Sequence, residues 1–478
     1  MIFSTNIFIY LFLPLCVITY FICLKMMPSY SRKVSNFILL IFSLLFYLYG
    51  SGRHIVILLS TVILNFIFAI LISAYRNNLL KKFIFTGSII ANISILIWYK
   101  YFNFIGENVI KLVRIFGGGG QNTEIEFSII LPIGISFFIF QAMSYIIDVY
   151  KGKVEVQKNI FKLALYISFF PQLIAGPIVR YSEIVYDIDN RKENIQDIYY
   201  GVCRFIVGLS KKVLIADILA ESVNSIFALS NSELTVALSW TGAVLYFLEI
   251  YFDFSGYSDM AIGMASIFGF HFNENFTMPY ISQNVTEFWR RWHISLSSFL
   301  RDYVYIPLGG NRRGSKRTYL NLSVVFLLCG IWHGAAWTFI LWGVYHGAFL
   351  VLERVLRDKW KFQMKGILGN IITMLVVMFG WILFNSGSFS DAISFIRAMF
   401  GMNPLAEHQF YKYQYYVNSK VIFVGVIGFI FSMVPFSEIK RKIAEAKYVK
   451  GICCFLLLIV CMIYMSDATF NSFIYFQF

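Results

Sequence analysis

Charged residues are scarce in this chain: Asp, Glu, Lys and Arg make up only 14% of its 478 residues, whereas hydrophobic residues make up 58%. A soluble domain carries about 25% charged residues, so this composition excludes an ordinary soluble fold. Apolar runs long enough to cross the hydrocarbon of a bilayer recur along the sequence, and they predict an all-α polytopic membrane protein with roughly 10–13 membrane helices. The predicted spans lie near residues 6–25, 36–49, 54–74, 83–99, 128–148, 160–178, 202–222, 236–252, 320–342, 367–385, 420–436 and 450–475.

Patterns that mark several other kinds of enzyme are also missing. The six histidines and seven cysteines form no His-x-x-x-His or Cys-x-x-Cys pair, so no metal site is predicted and the cysteines are expected to be buried free thiols. The Gly-x-Ser-x-Gly motif of serine hydrolases is absent as well. Because no long linker, low-complexity tract or internal repeat separates the apolar spans, we predict a single membrane domain over residues 1–478.

The formal net charge of +14 does not indicate nucleic-acid binding, because the basic residues cluster in short loops between spans. Cytoplasmic loops of membrane proteins show this bias, so the N-terminus and residues 101–127, with the glycine-rich loop at 117–121, are predicted to lie outside. The first apolar run lacks a basic n-region and a cleavage site, and we expect it to remain as a helix. The predicted cytoplasmic loops carry Lys25, Arg32 and Lys33, then Arg76, Lys81 and Lys82, and the segments 151–158, 312–317, 354–365 and 440–450.

One histidine lies inside an apolar stretch of membrane length, at 319–342, within the motif Cys-Gly-Ile-Trp-His-Gly. An imidazole in hydrocarbon loses its hydration, so His333 is a candidate functional residue, with a packing role as the alternative. Its glycine neighbours are expected to leave space beside the ring, and Trp332 and Trp337 to form the wall of a cavity. His346 lies thirteen residues further on, about 20 Å away on another face if the helix is unbroken. We therefore expect His293, on a separate element, to be the partner of His333.

A second polar stretch, from 286 to 303, carries His293. Its apolar side chains fall on one face of a helical wheel, which predicts one amphipathic helix, either interfacial or re-entrant. Asn284 and Glu287 resemble a capping box at its start. A helix on the lipid surface with solvated arginines fits the pattern equally well. The apolar face consists of Phe288, Trp292, Leu296, Phe299 and Tyr303, and the opposite face of Arg290, Ser297 and Arg301.

Two carboxylates, Asp253 and Asp259, interrupt the apolar region 236–270. Paired acids at membrane depth can serve acid–base or ion-coupling chemistry, or they can hydrogen-bond to a break in the helix, and both interpretations stay open. Segments 131–135 and 170–177 contain Pro and Gly inside apolar spans. They predict irregular backbone around a cavity.

A string of motifs between about 130 and 350 resembles the membrane-bound O-acyltransferase family. The resemblance is to the bacterial branch typified by the membrane subunit of alginate O-acetyltransferase. The matching segments are Leu-Pro-Ile-Gly-Ile-Ser-Phe-Phe at 131–138, Gly-Pro-Ile-Val-Arg at 176–180, 254–263, 275–282, Thr-Glu-Phe-Trp-Arg-Arg-Trp-His-Ile-Ser-Leu-Ser at 286–297, 301–310 and Trp-His-Gly at 332–334.

This resemblance implies re-entrant or interfacial helices around a central water-filled funnel with a histidine at its base. His333 matches the signature histidine of the family, and His293 matches the second position. His293 is implied to orient the substrate or to polarise the thioester carbonyl. The further residues predicted to bind substrate or line the site are Trp289, Arg290, Arg301, Asp302, Trp332, Trp337, Asp253, Asp259 and His346.

The implied reaction moves an acyl group, acetyl above all, from a cytoplasmic thioester such as acetyl-CoA across the membrane. The end product would be an O-acetylated cell-surface polysaccharide or peptidoglycan. No permanently bound cofactor is expected. The implied partners are a separate extracytoplasmic acetyltransferase or acyl-acceptor protein, the polymer itself and membrane lipid, in the cytoplasmic membrane of a bacterium. Two alternatives stay open: D-alanyl transfer to teichoic acid by the same fold, and transport of a lipid-linked sugar.

Overall fold

The computed structural model of the protein describes residues 2–27, 30–75, 77–116, 129–404, 412–435 and 446–467. Within these ranges the chain forms helices joined by turns, and no strand occurs there. The predicted exterior loop at 117–121, Arg76 and most of the 440–450 loop lie outside the described residues. The chain divides into two compact units, one of Met1–Glu193, Gly269–His271 and Gly334–Ala336, the other of Asn194–Phe268, Phe272–His333 and Trp337–Phe478.

The first unit begins with a short π-helix, Phe8–Phe12, that runs into α1. Asparagine side chains cap two of its helices, because Asn77 accepts hydrogen bonds from the backbone at the start of α4 and Asn159 does so for α7. Its helices are α1 (Leu13–Met26), α2 (Ser31–Ser51), α3 (Ile55–Ala74), α4 (Asn78–Leu96), α5 (Phe102–Phe116), α6 (Ile135–Tyr150), α7 (Ile160–Ser168), α8 (Phe170–Leu173) and α9 (Tyr181–Asn190).

The second unit carries His293, His333 and His346. Its longest helix is α12, which runs unbroken for 32 residues from a Thr235 cap. Its helices are α10 (Ile195–Lys211), α11 (Asp217–Phe227), α12 (Val236–Ile267), α13 (Val285–Arg291), α14 (Ile294–Leu300), α15 (Gly314–His333), α16 (Trp337–Trp360), α17 (Gly366–Asn385), α18 (Phe389–Met399), α19 (Tyr413–Tyr416), α20 (Ser419–Met433) and α21 (Lys447–Asp467).

Within the described residues, six helical segments are long and apolar enough to cross a membrane. Together with the all-helical chain, they confirm the predicted polytopic all-α membrane fold. The larger number of spans, the funnel and the single domain stay predictions. The six segments are Phe8–Met26, Ser31–Ala74, Asn78–Phe116, Trp337–Trp360, Gly366–Asn385 and Tyr448–Ser466, and Ile135–Tyr150 and Ser419–Met433 are shorter apolar helices.

Glycines bring α10 and α12 into backbone contact at two levels. A Cβ atom on Gly201 would lie 2.5 Å from the carbonyl oxygen of Gly263, and one on Gly208 would lie 2.6 Å from that of Gly256. Small residues at a helix crossing allow such close approach inside a membrane. The crossing fixes which side chains of the two helices face each other.

Candidate active site

The helix that carries the signature histidine ends at that residue. α15 ends at His333 and α16 begins at Trp337, so the span predicted at 320–342 is not one continuous helix. The condition of an unbroken helix from 333 to 346 is not met. α15 and α16 then pack side by side, because a Cβ atom on Gly330 would lie 2.3 Å from the carbonyl oxygen of Phe339. Gly330 therefore serves close helix packing, and the expected open space beside the imidazole is not found at this glycine.

Trp342 lies between two of the histidines. Its ring centre is 5.0 Å from that of His333 and 5.0 Å from that of His346. The two imidazoles are thus at most twice that distance apart, which corrects the expectation of about 20 Å on different faces. Only 6% of His333 is exposed, and His346 is fully buried. Both rings belong to one apolar cluster.

His293 lies in a sharp break between α13 and α14, with φ 46° and ψ 54°. The left-handed conformation is uncommon for a residue with a side chain, and it ends the first short helix and starts the second in another direction. The single amphipathic helix predicted over 288–303 is therefore wrong. Its predicted start is confirmed, because the Asn284 side chain accepts a hydrogen bond of 2.8 Å from the backbone N–H of Glu287. The Glu287 carboxylate bonds the backbone N–H of Gln283, not that of Asn284.

The break places the His293 ring against aromatic side chains. Its centre lies 4.7 Å from Phe254 of α12 and 6.1 Å from Trp332, and Trp332 lies 5.0 Å from His333. Only 1% of His293 is exposed, and burial lowers the pKa of its imidazole to about 3, so the ring is neutral. The indole of Trp332 thus lies near both of the histidines that the sequence predicted to work together.

These contacts define the ring cluster, a group of aromatic and imidazole side chains from five helices and one interhelical turn of the second unit. Trp289, predicted as a site residue, belongs to it, since its ring centre lies 5.0 Å from His346 and 5.5 Å from Trp342. The ring cluster consists of Phe254, Trp289, His293, Trp332, His333, Trp342, His346, Trp381 and Phe384.

Comparison with known proteins identifies the family. The model of the membrane-bound O-acyltransferase family matches residues 42–390, which include the whole ring cluster. The chain belongs to this family. The resemblance seen in the sequence is thereby confirmed, and the protein is a multi-pass membrane acyltransferase.

Individual relatives of the chain include bacterial proteins that act on cell-surface polymers, by their names. The chain is 40% identical over 402 residues to the probable alginate O-acetylase AlgI of Pseudomonas aeruginosa, covering 84% of this chain and 75% of that protein. It is 34% identical over 438 residues to the peptidoglycan O-acetyltransferase of Helicobacter pylori, with 85% of this chain and 81% of that protein covered. The teichoic acid D-alanyltransferase of Bacillus subtilis is 29% identical over 338 residues, with 66% and 81% covered.

Six predicted site residues of this O-acyltransferase lie outside the ring cluster, and four of them are Trp337, Arg290, Arg301 and Asp302. Trp337 is 57% exposed, and Trp342 fills the position expected for it beside His333. Arg290 is exposed as well. Arg301 is exposed over 62% of its side chain and forms an ion pair of 2.7 Å with its neighbour Asp302. These positions do not place Arg290, Arg301 or Asp302 beside the imidazoles of the ring cluster.

Asp253 and Asp259 form ion pairs with cations near the α10–α12 crossing. Asp259 lies 2.6 Å from Arg204 and 2.6 Å from Lys211, and Asp253 lies 2.8 Å from Lys212. α12 continues unbroken through both acids, so the interpretation that they bond to a helix break is wrong. The pairs neutralise the carboxylates.

Asn275 is the site residue that sequence reasoning missed. Its side-chain oxygen lies 3.2 Å from Nδ1 of His293, and its backbone carbonyl accepts a hydrogen bond of 3.0 Å from the N–H of Ile294. The sequence did offer one signal for Asn275: it is a polar residue beside Phe276 in a segment, 275–282, that resembles the family. An amide inside a loop gives no periodic pattern from which its partner can be predicted.

No metal centre competes with the ring cluster as a candidate site. In the part of the chain that the structure describes, no group of three His, Cys, Asp or Glu side chains is close enough together to hold a metal ion. The chemistry available in the cluster is that of imidazole rings in an apolar surrounding.

Proposed function

We propose that this membrane O-acyltransferase moves an acetyl group from cytoplasmic acetyl-CoA to an acceptor on the far side of the bacterial cytoplasmic membrane. The final product is an O-acetylated cell-surface polysaccharide or peptidoglycan. The observation that carries the proposal is the placement of two buried imidazoles, His293 and His333, next to Trp332 in one apolar cluster. The similarity to two relatives named as O-acetylating proteins supports acetyl as the acyl group.

His333 serves as the general base in this proposal. An imidazole with a reference pKa of about 6.5 accepts a proton at neutral pH, and the acceptor hydroxyl must lose one as its oxygen attacks the acyl carbon. The carbon–sulfur bond of the thioester then breaks. The thiolate leaves and takes the proton from His333, so the base is restored and the products are the ester and free coenzyme A.

The aromatic rings around His333 make the environment of this base apolar. Apolar side chains exclude water, which otherwise competes with the acceptor hydroxyl for the acyl group. Trp332 and Trp342 lie 5.0 Å from the His333 ring on two sides, and Phe384 lies 5.2 Å from it. This packing restricts the ring to a narrow range of orientations.

The acceptor side requires a partner in this proposal. A separate extracytoplasmic acetyltransferase or acyl-acceptor protein takes the acetyl group and delivers it to the polymer. D-alanyl transfer is the second candidate, because the Bacillus subtilis relative is a teichoic acid D-alanyltransferase.

Inside-out membrane vesicles from a bacterium that expresses the protein test the proposal. The vesicles receive either radiolabelled acetyl-CoA or a carrier protein loaded with D-alanyl thioester, and the measurements are release of the free thiol and formation of alkali-labile ester. We expect ester labelling from acetyl-CoA that disappears in vesicles with His333→Ala. Labelling from the D-alanyl donor alone would replace the acetyl proposal with the second candidate, and labelling from neither would contradict both.

A further inference from the structure

The orientation of the Asn275 amide is fixed by its neighbours. Its Oδ1 atom lies 3.2 Å from the backbone nitrogen of Ser295, and a backbone N–H can only donate. The same atom accepts a hydrogen bond of 2.9 Å from the Ser295 hydroxyl, while Nδ2 donates to the Ser258 hydroxyl at 3.0 Å. The atom that faces the turn at His293 is therefore the oxygen.

This orientation determines the tautomer of His293. Nδ1 of the imidazole lies 3.2 Å from Oδ1 of Asn275 and 3.4 Å from the Ser295 hydroxyl. The hydroxyl donates its hydrogen to Oδ1, and a carbonyl oxygen can only accept, so Nδ1 carries the hydrogen. In a neutral imidazole the other nitrogen then holds a lone pair. Nε2 of His293 is buried, and it has no hydrogen-bond partner among the residues that the structure describes.

Asn275 and its neighbour segment also hold the backbone of the turn. The carbonyl of Asn275 bonds the N–H of Ile294, and the N–H of Thr277 bonds the carbonyl of Arg291 at 3.0 Å. These two bonds flank His293, which has the left-handed conformation with φ 46°. Such a conformation persists only where the surrounding structure fixes it. The same segment thus sets both the position of the ring and its protonated nitrogen.

We propose that Asn275 is a positioning residue that holds His293 with its hydrogen on Nδ1, so that Nε2 accepts a hydrogen bond from a hydroxyl or amide N–H of the substrate. The inference rests on the proposed acyl transfer and refines it. A neutral ring in this tautomer has no hydrogen on Nε2 to donate, so His293 orients a donor group of the substrate and does not polarise the thioester carbonyl.

Two substitutions of Asn275 distinguish a residue that positions the His293 imidazole from one that only stabilises the fold. Asn275→Ala removes the acceptor oxygen, and we expect kcat to fall by roughly 10–10⁴-fold with the KM for acetyl-CoA unchanged, since a wrong histidine tautomer alone costs about 10⁴ in a serine protease. Asn275→Asp keeps the oxygen, and the Ser258 hydroxyl can donate to the new carboxylate. The rings packed against His293, Phe254 and Trp332, do not titrate. His333, which lies 5.0 Å from Trp332, titrates in both proteins, so the difference between the pH profiles of the Asp variant and the wild type will report on His293.

The decisive measurement is the pH dependence of kcat in the vesicle assay. A carboxylate beside Nδ1 stabilises the imidazolium of His293. In Asn275→Asp we therefore expect near wild-type kcat at alkaline pH, and a loss of kcat at acidic pH that exceeds the loss caused by protonation of the general base His333 in the wild-type protein. Asn92→Ala, which removes a fully buried amide from the first unit, is the matched control and should leave the profile unchanged.

Several results would overturn the inference. Full activity in Asn275→Ala would do so, as would equal loss of activity and of Tm in the Ala and Asp variants with no additional loss of kcat at acidic pH. The proposed function fails separately, through a wild-type protein that transfers no acetyl group or a His293→Ala variant that transfers it normally.

Discussion

A Cβ atom placed on Gly380 of α17 would lie 2.4 Å from Nε2 of His346. The His346 imidazole thus packs directly against the backbone of α17 at Gly380. Gly380→Ala will force the imidazole or the helix to move. We expect the variant to lose roughly 1–3 kcal/mol of stability, the usual range for overpacking a buried site. Thermal unfolding in detergent measures this loss.

The double variant Gly380→Ala, His346→Ala checks the assignment, because the new methyl group then meets no imidazole, and the nearest remaining atom is Cε1 of the Tyr345 ring, which would lie 3.3 Å from it. We expect the two substitutions together to cost less than their sum. Gly87→Ala is the control, since a Cβ atom there has no neighbour within 4 Å. Additive effects at Gly380 and His346 would show that the two residues do not press on each other.

His333→Ala should abolish acyl transfer while the protein still inserts and purifies normally. Loss of a general base typically costs roughly 10²–10⁴-fold in rate, and the vesicle assay measures it. His271→Ala is the matched control, because that side chain is 63% exposed and belongs to the other unit. A His333→Ala protein with near wild-type transfer would leave His333 as a packing residue only.

His293→Ala and His346→Ala are predicted to fail in different ways. His293→Ala should lower kcat strongly and leave the KM for the donor nearly unchanged, because its Nε2 is the atom we assign to the substrate. His346→Ala should act through stability, since the ring is fully buried against Trp289 and Trp342. Loss of transfer in His346→Ala at an unchanged Tm would move the catalytic assignment to His346.

The ion pair between Lys212 and Asp253 gives a test of the α10–α12 contact. Each side chain is only 1% exposed, so Lys212→Met leaves a buried carboxylate without this cation, at a cost of about 3–5 kcal/mol. The double variant Lys212→Met, Asp253→Leu should recover much of the lost Tm. Arg301→Gln breaks a largely exposed pair and should cost less than about 1 kcal/mol. A double variant no more stable than Lys212→Met would rule out the Asp253 charge as the cause and point to Asp217, which also pairs with Lys212 at 2.6 Å.

Topology predicted from the basic loops can be tested at Lys316, an exposed residue in the first turn of α15. A Lys316→Cys protein should react with a membrane-impermeant thiol reagent only in inside-out vesicles, because basic loops remain cytoplasmic. Cys453 is exposed, contrary to the expectation of buried thiols, and it must be replaced by Ser first. Labelling of intact cells at position 316 would reverse the topology and the proposed direction of transfer.

Sequence reasoning succeeded where the signal is local or compositional. Apolar composition predicted the all-helical membrane fold, and Asn284 three residues before Glu287 predicted the start of α13. The pairing of His293 with His333 came from its place on a separate element and from motif resemblance, and it stays a prediction. The glycine after His333 was also a usable signal, because helices often end one residue before a glycine.

The missing parts depend on contacts between distant segments. No glycine or proline marks the break at His293; Asn275, eighteen residues earlier, holds that turn through tertiary hydrogen bonds. Lys211 and Lys212 are visible in the sequence as cations in an apolar span. Their pairing with Asp259 and Asp253 depends on how α10 is aligned along α12, and the glycine contacts between the two helices fix that alignment. A single sequence does not give such an alignment.

The ion pairs of α12 also constrain how the chain is made. α12 carries three carboxylates, Glu249, Asp253 and Asp259, and a charged residue near the centre of a helix resists entry into the bilayer by about 2.5–3.5 kcal/mol. The cations that pair with Asp253 and Asp259 are translated earlier, on α10 and the π-helix that follows it. The basic residues of α10 are therefore already present when α12 leaves the ribosome, and they can neutralise its carboxylates. The two helices should enter the lipid as a pair. Removal of the basic residues of α10 should leave α12 outside the bilayer.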